Sequence, residues 1–110
     1  MKFGLDQQTI DLIRDVILSH ECVQDIIIYG SRTKGNYHPG SDIDLSVKGD
    51  ISLSDLFKMK SELDELMIPY KIDLSSYNDI NNQDLKDHID RVGQLFNWCL
   101  DISQISFLYL

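Results

Sequence analysis

A chain of 110 residues with 10 Lys and Arg against 18 Asp and Glu, formally −8 at pH 7, is sized for one domain with one core, and it lacks the basic surplus that a broad phosphate-backbone footprint requires. Direct binding to nucleic acid is therefore not expected. With 43% hydrophobic and 9% aromatic residues, and no apolar run of about eighteen residues to span a membrane, the composition is that of an ordinary globular protein.

Asp6 stands where an N-cap is wanted, with Leu5 and Ile10 placed for a hydrophobic staple, and Ile10, Ile13, Val16 and Ile17 recur at helical spacing. A first helix is expected over about Gln7–His20. Asp25-Ile26-Ile27-Ile28-Tyr29 is a β-branched run stopped by Gly30, which reads as a strand buried on both faces. Gly35 and Pro39-Gly40 then predict one short helical turn from Ser31 and a reversing loop. From Asp42 to Val47 the chain alternates, Ile43, Leu45 and Val47 to one face and Asp42, Asp44 and Ser46 to the other.

Ser52 and Asp55 have the spacing of a capping box, and Leu53, Leu56, Phe57, Leu63, Leu66 and Met67 are expected as the apolar stripe of a helix reaching about Met67. Lys58, Glu62 and Glu65 read as its solvated face. Pro69 ends it, and Tyr70–Ser75 reads as a third strand with Ile72 and Leu74 on one side and Lys71, Asp73 and Ser75 on the other. Asn81 or Asn82 is placed to cap a last helix with Leu85, Ile89, Val92, Phe96 and Cys99 on one side, interrupted by Gly93. The order α-β-(short α)-β-α-β-α implies a single α/β domain with a small mixed sheet flanked by helices. Residues 102–110 are apolar enough either to pack back on the domain or to meet a partner. Cys22 and Cys99 show neither CxxC spacing nor a secretory leader, and are expected as small core residues in a reducing cytoplasm.

The chemistry concentrates in Gly30-Ser31, ten residues, then Asp42-Ile43-Asp44. Carboxylates at i and i+2 on a strand leave the same face as hard oxygen ligands, and Asp73 on a later strand has matching parity. Ionised together, the three call for a divalent cation, Mg²⁺ or Mn²⁺, as counter-charge. His20, His38 and His88 are scattered without zinc-site spacing and read as surface or helix-end residues, His38 least firmly because it lies between the Gly-Ser pair and the aspartates. Gly30 lets backbone approach a ligand, and Ser31 offers a hydroxyl and free N–H groups to phosphate oxygens. Arg32 and Lys34 either neutralise a triphosphate or join structural ion pairs.

The string Gly30-Ser31-x10-Asp42-x-Asp44, strengthened by Gly30-Ser31-Arg32-x-x-Gly35, resembles the signature of the polymerase-β-like nucleotidyltransferase superfamily, and within it the minimal MntA-like antitoxin branch. The likeness covers about residues 5–97 and none of the apolar tail at about 101–110. It implies that Asp42 and Asp44 ligate two Mg²⁺ ions, one arriving with ATP, that Asp73 completes the metal site and helps deprotonate the acceptor, and that Gly30 and Ser31 hold phosphates. It further implies transfer of AMP to a hydroxyl, tyrosine foremost, on a helical HEPN-type ribonuclease toxin, since the chain has no room for a substrate domain. Two other functions remain open on the residues alone: an acidic antitoxin that masks a basic partner without turnover, and transfer to a small molecule such as an antibiotic with a partner subunit completing the pocket. The sequence leaves homo- or hetero-oligomerisation open.

Overall fold

The structure, a computed structural model, describes residues 2–96. Cys99 and the apolar tail lie outside the described residues. Helix α1 (Gln7–Leu18) starts where Asp6 accepts the Thr9 N–H at 2.8 Å, and Leu5 and Ile10 are both buried as a staple requires. It stops two residues before the expected end, where the Ser19 hydroxyl turns back to the Val16 carbonyl at 2.6 Å. Strand β1 (Val23–Tyr29) buries Ile26, Ile27, Ile28 and Tyr29 consecutively, so both of its faces are covered. The short helix α2 (Ser31–Lys34), strand β2 (Ile43–Gly49), helix α3 (Leu53–Asp64), strand β3 (Ile72–Ser76), helix α4 (Gln83–Val92) and strand β4 (Gln94–Leu95) follow.

The four strands lie in the order β3-β2-β1-β4; β2 and β4 run antiparallel to β1, and β3 runs parallel to β2. A parallel neighbour needs a crossover, which α3 supplies. Alternation along β2 and β3 then sorts side chains by face. Ile26, Ile28, Ile43, Leu45, Val47 and Leu74 meet Ile10, Ile13 and Ile17 of α1 and Met59 and Leu63 of α3 in the main core. On the opposite face Ile27 and Tyr29 meet Ile89, with Leu85 and Val92, in a smaller core under α4. The molecule is thus a mixed sheet with helices on both sides, an α/β fold as expected.

Two details differ from the sequence expectation. The buried stripe of α3 is Met59 and Leu63, flanked by half-buried Leu56 and Leu66, while Leu53, Phe57 and Met67 stand 66%, 59% and 99% exposed. Hydrophobicity marked them for burial, but α3 meets the sheet with the arc of Leu56, Met59 and Leu63, which leaves Leu53 and Phe57 to one side, and it ends at Asp64, short of Met67. The final helix stops at Gly93, whose N–H bonds the Ile89 carbonyl at 2.8 Å before the backbone turns extended. Leu95 then pairs with Ile27, and the Phe96 N–H donates to the Ile26 carbonyl at 2.7 Å, so Phe96 enters the main core instead of extending the face of α4.

Candidate active site

Sheet register assembles the site. Tyr29 of β1 lies opposite Asp44 of β2, and Asp44 lies opposite Asp73 of β3. Directly paired residues point to the same face, so the three form one row on the α4 side of the sheet. Behind that row Ser75 donates its hydroxyl to Ser46 at 3.2 Å, filling the space with small, mutually satisfied groups. Asp42, exposed and one residue before β2, has the parity of Asp44.

Gly30 joins the row to helix α2. Its φ of 81° and ψ of −150° lie where L side chains rarely go, and a Cβ at this position would collide with the Asp44 carboxylate. The carboxylate therefore occupies the place that glycine vacates, directly against the turn into Ser31. Thr33 and Lys34 donate their N–H groups to the Gly30 carbonyl at 3.2 and 3.1 Å, and Gly35 to Ser31 at 3.0 Å. The N–H groups of Ser31 and Arg32, at the first two positions of α2, have no carbonyl one turn back within the helix to donate to. Lys34 is exposed and makes no ion pair among the described residues.

The carboxyl of Asp44 is raised above its usual range by burial first and then by the charges of Asp73 and Asp42, with His88 pulling it down. Tyr29 is likewise raised, by burial before all else; Ser75 opposes by hydrogen bonding, and Asp44 and Asp73 add to the rise. His88 of α4 stands edge-on to the Tyr29 ring at 6.1 Å and 81°. Tyr29 and His88 are thus site neighbours that the sequence reading passed over. The one available signal for His88 was its place beside Ile89, on the edge of the α4 stripe that meets the sheet.

Arg32, expected either at a triphosphate or in a structural ion pair, turns inward and makes no ion pair among the described residues. It is 3% exposed, and its guanidinium donates to the carbonyls of Phe3, Pro39 and Ser41, away from the row. His38 belongs to the same loop, where its N–H donates to the Ser41 hydroxyl at 2.7 Å, and it stays exposed.

Among the described residues no three His, Cys, Asp or Glu side chains stand close enough together to hold a metal ion. Asp42, Asp44 and Asp73 nevertheless suit a hard divalent cation. All are oxygen donors, Asp42 and Asp73 are exposed with no hydrogen bond or ion pair among the described residues, and Asp44 already carries the penalty of their like charge. A cation would remove that penalty.

The family model "Polymerase beta, Nucleotidyltransferase" matches residues 11–97, which spans the whole row, Gly30 and Ser31. The chain belongs to this nucleotidyltransferase family. No curated protein sequence matches it. Among solved structures, this nucleotidyltransferase domain is similar to a chain of a toxin–antitoxin complex with AMP-PNP, at 18% identity and a TM-score of 0.66, covering 91% of this chain and 79% of that one. It is also similar to a chain of the MntA–HepT toxin–antitoxin, at 19% identity and a TM-score of 0.55, covering 94% and 80%. A third is a chain of the complex of tri-AMPylated Shewanella oneidensis HEPN toxin with MNT antitoxin, at 18% identity and a TM-score of 0.55, covering 93% and 74%. At these identities the likeness is one of fold.

Proposed function

We propose that the protein is a Mg²⁺-dependent nucleotidyltransferase that moves AMP from ATP to a hydroxyl, tyrosine foremost, on a HEPN-type ribonuclease toxin, and so acts as the antitoxin of the pair. The observation that carries this reading is the packing of the Asp44 carboxylate into the space left by the missing side chain of Gly30, with Asp73 beside it in register. A phosphate held by Ser31 and the α2 backbone would lie next to the carboxylate row. The acceptor oxygen forms a bond to the α-phosphorus, the bond from that phosphorus to the bridging oxygen breaks, and pyrophosphate leaves. Asp73, exposed at the end of the row, would receive the acceptor proton. Asp42 and Asp44 would hold Mg²⁺ together with Asp73, and bound Mg²⁺ supplies positive charge against the entering and leaving oxygens. Lys34 and Ser31 are assigned to the phosphates, whereas Arg32 acts at one remove.

The fold shared with toxin–antitoxin chains supports a protein acceptor, as does the net charge of −8, which suits a basic partner. The test is incubation with labelled ATP, Mg²⁺ and the product of the neighbouring gene. Label should move to that protein and stop on chelation or in Asp44→Ala. Should Asp42→Ala/Asp44→Ala protein still neutralise the partner at equimolar ratio, masking without turnover replaces transfer as the function.

A further inference from the structure

The guanidinium of Arg32 is sealed inside the protein without a carboxylate. Nη1 donates to the Phe3 carbonyl at 2.9 Å; Nη2 donates to the Ser41 carbonyl at 2.8 Å and more weakly to that of Pro39 at 3.4 Å. The rings of Tyr37 and Tyr70 stack around it, their centroids 5.2 and 5.0 Å from its central carbon. No acidic side chain lies within ion-pair distance among the described residues, and the buried Nε has no hydrogen-bond partner. Burying the charge costs desolvation, which the three carbonyl acceptors and two ring faces offset, and truncating the side chain would leave the Phe3 and Ser41 carbonyls without this donor.

What the guanidinium accomplishes is convergence. Arg32 follows Ser31 of the phosphate cradle, its acceptor Ser41 precedes Asp42, and Tyr70 lies three residues before Asp73. Phe3 anchors the same group to the N-terminal segment, where the Tyr37 ring lies so close over Gly4 that a Cβ there would strike it. Segments next to Ser31, Asp42 and Asp73 thus meet at one guanidinium.

We propose that Arg32 is a positioning residue that sets the separation of the Ser31 cradle from Asp42 and Asp73, by clamping the loop of residues 36–41 and the approach to β3. This rests on the nucleotidyltransferase reading. It differs from a phosphate-binding role in one respect that can be measured: the fork geometry matters, not the charge. Lysine keeps the charge but presents a single ammonium, which cannot reach the Phe3 and Ser41 carbonyls together in the arginine's planar arrangement.

The experiment compares wild type, Arg32→Lys and Arg32→Met in the full chain by calorimetric titration with the α,β-methylene analogue of ATP in Mg²⁺, and by amide hydrogen exchange over residues 36–42. Both variants are expected to bind the analogue about 10- to 100-fold more weakly, to need more Mg²⁺ for half-maximal binding, and to exchange faster across that loop while α1 and the β1–β2 pair keep their protection. Wild-type affinity in Arg32→Lys would overturn the clamp in favour of a role for charge alone. Unchanged exchange over residues 36–42 in both variants would overturn it as well, whatever the affinities. Failure of the wild type to bind the analogue would instead remove the nucleotidyltransferase reading, and the exchange data would still decide whether Arg32 fixes the loop. If Arg32→Met does not fold, Tyr37→Leu, which strips one wall of the stack, takes its place with the same expectations.

Discussion

Asp44 is a residue kept at the expense of stability. Its carboxyl titrates above the ordinary 3.8, so the folded state holds the proton more tightly than the unfolded chain and ionisation subtracts stability once the pH passes that range. Asp44→Asn should therefore melt at a higher temperature than wild type at neutral pH without Mg²⁺. The gain should vanish in acid, below the range where Asp44 ionises in either state. Adding Mg²⁺ should raise the wild-type melting point and leave that of Asp44→Asn nearly unmoved, while transfer of label from ATP falls by more than about 10²-fold. Gly30→Ala should fail differently. Backbone strain at this φ and ψ costs about 1–3 kcal/mol and the added methyl displaces the Asp44 carboxylate, so denaturant melts and nucleotide titrations should both show losses.

Elements began where local chemistry said they would. Asp6, Ser52 and Asn82 each accept an N–H three residues on, and Ser52 with Asp55 forms a reciprocal capping box, because a cap needs nothing beyond its own first turn. Asp55 is held below 3.8 by the Ser52 hydroxyl first and the Ser52 N–H second, so its contribution is complete above that pH and is lost as the pH falls through the lowered value. Asp55→Asn should be less stable than wild type at neutral pH, and urea titrations of the two should converge in acid, once the pH has fallen through the lowered value. Ser52→Ala should cost about 1 kcal/mol in the same assay. Helix ends were less legible. α4 stops at Gly93 because the following residues find hydrogen bonds on β1, a partner more than sixty positions back in the chain that no local pattern reveals. The Gly-Ser turn and the strand parity of Asp42, Asp44 and Asp73 were readable, since each is set by neighbours in sequence. His88 was not, because its relevance comes from how α4 crosses the sheet.

Across the whole molecule, the row of Tyr29, Asp44 and Asp73 lies on the α4 face of the sheet, Tyr29 within the smaller core there and the main core on the opposite face. Met59 is fully buried in the main core and Met67 is 99% exposed, although both are methionines of one amphipathic stretch. Met59→Ala should cost about 2–5 kcal/mol in denaturant unfolding, and Met67→Ala should stay within about 0.5 kcal/mol of wild type. By itself the sequence determined the order of helices and strands up to α4, the helix caps, the faces of β2 and β3 and the family, because side-chain period and short-range hydrogen bonding act within a few residues. Only the tertiary structure decided which arc of α3 is buried, that β4 and Phe96 close the sheet, that Asp44 fills the hollow at Gly30, and that Arg32 turns inward to carbonyls. Each of those depends on groups far apart in the chain competing for the same space, and that competition is settled by packing.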